Sequence, residues 1–206
     1  MPEKSPSDAR RAPVQQRSKD TVAAIQEAAI QILMKDGYAH ATTVRVAELA
    51  GVSVGTLYQY FDGREAVFDA VTAGVLDSLT EAAGAALSAS ADSTLRRQLH
   101  QSVVATLAVL ERHPLVLRRL DGIPGSSFRG RLVDARRHAQ EIVEAFLVFH
   151  QEELRVASLP LAARMLVDFA EGLAYNLREE DDIEVLGAEA TRFMYAYLTG
   201  ADRGTP

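Results

Sequence analysis

"AELAGVSVGTLYQYF", Ala47 to Phe61, sets two glycines, a serine, a threonine and two tyrosines around four leucines and valines before its closing phenylalanine. Ordinary core helices are more apolar, and ordinary loops carry fewer aromatics. Two short helices joined by Gly51-Val52-Ser53 satisfy the demands of a helix-turn-helix. The helices must cross closely, and Ala47 is small. The turn needs a left-handed residue, and Gly51 tolerates one. The second helix needs an apolar anchor, and Leu57 supplies it.

At about 100° per residue, with Leu57 at 0°, Phe61 falls near 40° and Val54 near 60°, marking a buried face. Gln59 near 200° points away from it, flanked by Gly55 near 160° and Thr56 near 260°. Tyr58 and Tyr60 lie on the shoulders. That outward surface suits a DNA major groove. Glutamine bonds bidentately to adenine, a threonine methyl meets a thymine methyl, and tyrosine hydroxyls reach phosphates. Gly55 reads as a point of close approach to the duplex. The plainer reading, solvent-facing polar residues at the end of a small bundle, lacks a reason for so many features falling together.

Outward from this stretch the chain reads as all-α. Met1 to Arg17, with three prolines, reads as a disordered basic arm. Ser18 opens a helix with Val22, Ile25, Ala29 and Ile32 on one face, and Gly37 stops it. Thr43 is the expected cap of the second helix and Ser53 of the third. Asp62 and Glu65 have capping-box spacing for a fourth, whose face is Phe68, Val71, Val75 and Leu79. A fifth carries Leu95, Leu99, Val103, Leu107 and Leu110 in register. After the loop "DGIPGSS", a longer helix repeats Phe128, Leu132, Ala135, Ala139, Ile142, Phe146 and Phe149. Pro160 opens a helix to about Leu177, and the last runs from Ile183 to Leu198. The expected organisation is an arm over 1–17, a DNA-binding domain over 18–64 and a larger helical domain over 65–200.

The 206 residues are 48% hydrophobic and 24% charged, with no cysteine. Disulfides, thiolate metal sites and cysteine nucleophiles are thereby excluded. No stretch is long and apolar enough to span a membrane, and the polar N-terminus has no secretory core; the expected location is cytoplasmic. The net charge is −6, which is not that of an obvious nucleic-acid binder. Positive charge is concentrated at one end, where Met1 to Lys19 holds five basic and two acidic residues.

"TTVRVAELAGVSVGTLYQYFDGREAVF" resembles the DNA-binding signature of the TetR family of bacterial transcriptional regulators, over roughly Arg17 to Val71. The resemblance implies a homodimeric, ligand-responsive regulator, a repressor in the first instance, on double-stranded DNA with a palindromic operator. It assigns Thr43 to a phosphate and Arg45 to the backbone or a groove. Ser53, Val54, Gly55, Thr56, Tyr58, Gln59 and Tyr60 occupy the recognition helix. Arg64 stands where the family most often has lysine, and Arg17 and Lys19 are candidate arm contacts.

The resemblance also implies a sensing and dimerisation domain. Candidate pocket residues are His113, Leu117, Phe128, Phe146, Phe149, Phe169, Tyr175 and Asn176, suggesting an apolar or aromatic effector. Candidate interface residues are Met165, Phe169, Gly172, Met194 and Tyr195, on two helices that could form a four-helix dimer contact. No cofactor, metal or catalytic residue is implied. Activation, or effector-free nucleoid-type binding, would use the same front end. His138 with Glu141, and His150 with Glu153, sit three apart on one helix. They leave a helical-bundle metalloenzyme as a remote rival, although the order reverses the usual Glu-x-x-His.

Overall fold

The computed structural model describes residues 6–88 and 94–200, which hold helices and no strands. The helices are α1 (Pro6–Asp36), α2 (Thr43–Leu49), α3 (Val54–Tyr60), α4 (Arg64–Ser88), α5 (Leu95–Leu110), α6 (Val116–Asp121), α7 (Phe128–Phe149), α8 (Leu159–Tyr175) and α9 (Ile183–Thr199). Short 3₁₀ turns occupy Tyr38–His40 and Gln151–Glu153. The chain divides into two compact units. One runs up to Val71 and takes in Ile123–Ser126; the other holds Thr72–Gly122 and the chain from Ser127 onward. The division falls inside α4, beyond the 64/65 boundary expected from sequence.

Four local expectations change. First, α1 begins at Pro6, not Ser18. The expected arm is therefore helical from Pro6 on, and Met1–Ser5 lie outside the described residues. A proline at the first position loses nothing by lacking an N–H, and the alanines, arginines and glutamines that follow are good helix formers. Second, the cap of α2 is Thr42, whose extended backbone lets its hydroxyl accept from the Arg45 N–H at 3.3 Å; Thr43 is already helical. Third, α4 starts at Arg64, with the Gly63 carbonyl accepting from Val67 N–H at 3.2 Å, so the Asp62–Glu65 box is one residue out of register. Fourth, α6 is a short helix that periodicity did not reveal, since six residues hold too little of a repeat.

The first unit has a core of Ile25, Ala29, Ile32 and Leu33 from α1, Val46 and Ala47 from α2, Leu57 from α3, and Val67, Phe68 and Val71 from α4, all buried. The turn between α2 and α3 closes as the sequence demands. Gly51 has φ +70°, Val52 N–H donates to the Ala47 carbonyl at 3.0 Å and Gly51 N–H to that of Glu48 at 3.2 Å. This double bond across a left-handed residue ends a helix in one step.

In the second unit α5 packs on α9 and α7 on α8. The five apolar α5 positions named from periodicity are all buried. At the end of α7 the pattern slips: Phe149 is 71% exposed, and His150 takes the interior place. His150 Nε2 lies 2.8 Å from the Gln98 Oε1 and Nδ1 lies 3.0 Å from Glu153 Oε1, so both ring nitrogens face acceptors. His138 and Glu141 are exposed and 3.7 Å apart. Among the described residues no group of three or more His, Asp or Glu is placed to hold a metal ion.

α5 and α9 meet over Gly187, where a Cβ would lie 2.6 Å from Val104 Cγ2. Valine cannot swing away, being fixed at χ1 by its branch. Gly187→Ala should therefore destabilise the protein by about 1–3 kcal/mol, read as a lowered midpoint in denaturant unfolding with an unchanged slope.

Candidate nucleic-acid interface and candidate ligand cavity

α3 is held at both ends and presents its middle. Ser53 caps it, its Oγ accepting from Thr56 N–H at 2.9 Å and lying 2.8 Å from Thr56 Oγ1. Leu57 is fully buried and Phe61 nearly so, while Gly55, Tyr58, Gln59 and Tyr60 are exposed. Val54 and Thr56 are half-buried. A Cβ built on Gly55 meets only Ser53 Oγ, at 3.7 Å, an ordinary contact. Packing within the protein thus gives no reason for a glycine there.

The neighbouring polar groups form a connected rim. Thr43 Oγ1 lies 3.4 Å from the Tyr58 hydroxyl, tying the start of α2 to α3. Arg45, expected as a free backbone or groove contact, is engaged: Nη2 is 2.5 Å from Asp36 Oδ2 and Nη1 donates to the His40 carbonyl at 3.1 Å. It locks the end of α1 to α2 while leaving its side chain 45% exposed.

Arg64 lays its guanidinium over the Tyr38 ring, 4.2 Å from the centroid, and reaches Glu65 at 3.4 Å. Tyr38 in turn packs edge-on against Phe68, with centroids 5.1 Å apart, and donates to Glu65 Oε1 at 3.4 Å. Burial pushes the Tyr38 phenol above its ordinary value. The Glu65 carboxyl is held below its own, first by its own backbone N–H and also by Arg64 and Tyr38. This cation–π seat orients Arg64 without consuming its N–H groups. Asp36 and Tyr38 went unnoticed in the sequence because their partners are 9 and 26 residues away. Arg17 and Lys19 are exposed on α1.

The second unit holds a cavity of about 140 Å³, open on one side, between α4, α5, α7 and α8. Of the eight residues expected in a pocket, Leu117 and Phe146 line it. Phe128 is buried in a separate recess with Tyr175 and Asn176. There the Tyr175 hydroxyl donates to Asp121 Oδ2 at 2.9 Å, and Arg129 grips the same carboxylate at 2.9 and 3.2 Å. Arg129 first and Tyr175 second hold the Asp121 carboxyl below the usual range. His113, Phe149 and Phe169 lie off the cavity wall. The regular α7 repeat finds Leu132, Ala135, Ala139 and Ile142 on the wall. It cannot show that Arg136, one residue on, turns in as well.

The interface candidates also separate. Met165 is 46% exposed and accepts a hydrogen bond from the Tyr197 hydroxyl at 3.3 Å. Phe169 stacks on Phe193 at 4.8 Å, and Phe193 is 58% exposed. Gly172 is exposed, with nothing within 4 Å of a Cβ built on it. Met194, by contrast, is buried and lines the cavity. Tyr195 lies beneath Arg96 of α5, 5.9 Å from its ring centre. One step along α9 turns a side chain by about 100°, so Phe193 and Tyr197 occupy the outer face that Met194 and Tyr195 leave.

Residues 25–71 match the family described as "Bacterial regulatory proteins, tetR family". The chain is 35% identical over 85 residues to the HTH-type transcriptional regulator BetI 2 of Chromohalobacter salexigens, covering 41% of this chain and 37% of that one. The curated relatives are matched over 25% to 48% of their length, so the chain spans at most about half of each. The fold resembles that of the fatty acid degradation regulator FadR from Bacillus halodurans. The TM-score is 0.70 at 16% identity, over 94% of this chain and 97% of that one. It also resembles FadR from Bacillus subtilis in complex with stearoyl-CoA, with TM-score 0.67 at 17% identity, over 85% and 98%.

The Arg45 clamp has a pH signature. Hydrogen bonding to Arg45 holds the Asp36 carboxyl below its ordinary value. The ionised form is thus favoured in the folded state. Its stabilisation is complete above the unfolded carboxylate value and is lost as pH falls through the lower folded one. Asp36→Asn should lower stability at neutral pH and flatten the acid side of the stability–pH curve, the two proteins converging as pH falls through the folded-state value, measured by thermal unfolding from pH 2 to 7.

Proposed function

We propose that this chain, which belongs to the tetR family of bacterial regulatory proteins, is a homodimeric repressor of transcription. Its two α3 helices read successive major grooves of a near-palindromic operator, about 34 Å apart, and a small molecule in the second unit releases it. The observation that carries the reading is the outward strip of α3: an exposed Gln59, a capped Thr56 and a Gly55 whose missing side chain serves no internal packing. Phosphate positioning falls to Thr43 with Tyr58, Tyr60, the seated Arg64, and Arg17 and Lys19 of α1. Arg45 contributes chiefly by holding α2 on α1, with a secondary reach to the backbone.

The homodimer reading is supported by the outer faces of α8 and α9. Leu161 and Met165 of α8 and Val185 and Phe193 of α9 are exposed, and Phe169 stacks on Phe193. Two copies placing these faces together would bury apolar surface that one copy leaves in water. An effector reading is supported by the cavity, and by the stearoyl-CoA complex of a regulator with a similar fold. α4 is unbroken from Arg64 to Ser88. A ligand that favours one arrangement of the dimer therefore has a continuous helix through which to act, to the extent of its differential affinity for that arrangement.

Selection of bound sequences from a random duplex pool should return a palindrome, with affinity falling steeply as salt rises from 50 to 200 mM because counterions are released. Absence of any salt-sensitive, sequence-specific binding defeats the reading. Gln59→Ala should cost about 1–3 kcal/mol on the selected site and relax one base position. Gly55→Ala separates site from fold: stability should hold or rise by up to about 1 kcal/mol, while operator affinity drops. Phe193→Glu should yield monomers in analytical ultracentrifugation and lose operator binding with it.

A further inference from the structure

The cavity in the second unit is mostly apolar, and the hydroxyls on its wall offer acceptors, not donors. Its size, about 140 Å³, is close to that of an apolar cavity able to take up benzene, about 150 Å³. One ring or a short alkyl group is therefore what it accommodates as it stands. Five of its lining residues are polar: Thr80, Ser102, Thr106, Arg136 and Glu171. All three hydroxyl hydrogens are already donated to backbone carbonyls, Thr80 to Leu76 at 3.1 Å, Ser102 to Ala83 at 3.3 Å and Thr106 to Ser102 at 2.8 Å. What those oxygens retain for a ligand is lone pairs.

The charged corner points the same way. Arg136 donates from Nε and Nη2 to both oxygens of Glu171, at 2.8 and 2.6 Å, and Asp168 Oδ1 lies 3.7 Å from Nε. One guanidinium faces two carboxylates, a formal excess of one negative charge. Arg136 keeps N–H groups on Nη1 and Nη2 beyond those given to Glu171, but an anion reaching them meets two resident carboxylates, whereas a cation meets a corner of net negative charge. The adjoining groove between α4 and α7 shares Leu76, Thr80, Ala135 and Ile142 with the cavity. It adds Asp77, Glu81 and Asp134 against Arg131 and His138.

We infer that the effector is a small amphiphilic amine: an apolar body of about one ring in the cavity, with its protonated nitrogen against Glu171 of the wall and Asp168 adding negative charge from the far side of Arg136. This rests on the reading of the cavity as the effector site. The test is isothermal titration of the full-length protein with three probes of matched size: 2-phenylethylamine, 2-phenylethanol and 3-phenylpropanoate. Stearoyl-CoA serves as a long anionic comparison.

The amine should bind at least tenfold more tightly than the alcohol, with both anions weaker still, and should lower affinity for the selected operator. Glu171→Gln keeps the shape and an acceptor for Arg136. It should remove most of the amine's advantage while leaving alcohol affinity within about twofold, since only the charge is lost. If that variant unfolds, Asp168→Asn, at a half-exposed position, should reduce the advantage in the same sense.

An alcohol, a carboxylate or stearoyl-CoA binding most tightly overturns the amine assignment and leaves the effector pocket standing. So does an amine preference that neither substitution alters. If no probe binds while sequence-specific DNA binding is intact, the effector reading falls and the amine assignment falls with it.

Discussion

A seven-residue helix does not hold itself together in water, and α3 is seven residues long. What keeps it in place is the burial of Leu57 in the first unit, with Ser53 satisfying its first turn and Gly51 turning the chain into it. Because Leu57 faces the core, Gln59 must face away from it, and the polar strip is a consequence of the anchor. Every proposed DNA contact on α3 inherits its direction from that one buried side chain.

The rim shows how a protein of net charge −6 can still present cations. Arg64 is oriented by an aromatic ring, not by a carboxylate alone, so its position is defined while the N–H groups it does not give to Glu65 stay available. Arg45 is treated differently. A strong partner, Asp36, makes it part of the framework. Two arginines a short distance apart in sequence thus divide into one that positions and one that can reach out, and their partners decide which is which. The cavity follows the same logic: hydroxyls that have already donated offer only lone pairs, and a guanidinium beside two carboxylates leaves the corner net negative.

The helices of the first unit were legible because their signals are local: a small residue, a turn glycine, a capping serine and an apolar anchor, all within 11 residues from Ala47 to Leu57. The apolar register of α5 was legible for the same reason. Errors collect where a local signal has a close competitor. Thr42 and Thr43 are both competent caps, and only the backbone angles choose Thr42. Phe149 and His150 both end α7, and the hydrogen bonds of His150 to Gln98 and Glu153 draw in the histidine while the phenylalanine stays outside.

An all-α chain with a helix-turn-helix near its start, and the outward face of α3, follow from periodicity and turn chemistry read along a dozen residues at a time. Which aromatic residues meet the cavity, which line the outer faces of α8 and α9, and that Arg136 and Glu171 form the charged corner were decided by tertiary structure alone. Their partners lie far away in the chain, 35 residues for that pair, and an amphipathic helix with two apolar sides does not announce which side faces inward. Local geometry is written in neighbouring residues; the choice between two plausible faces is made only when a second helix arrives to cover one of them.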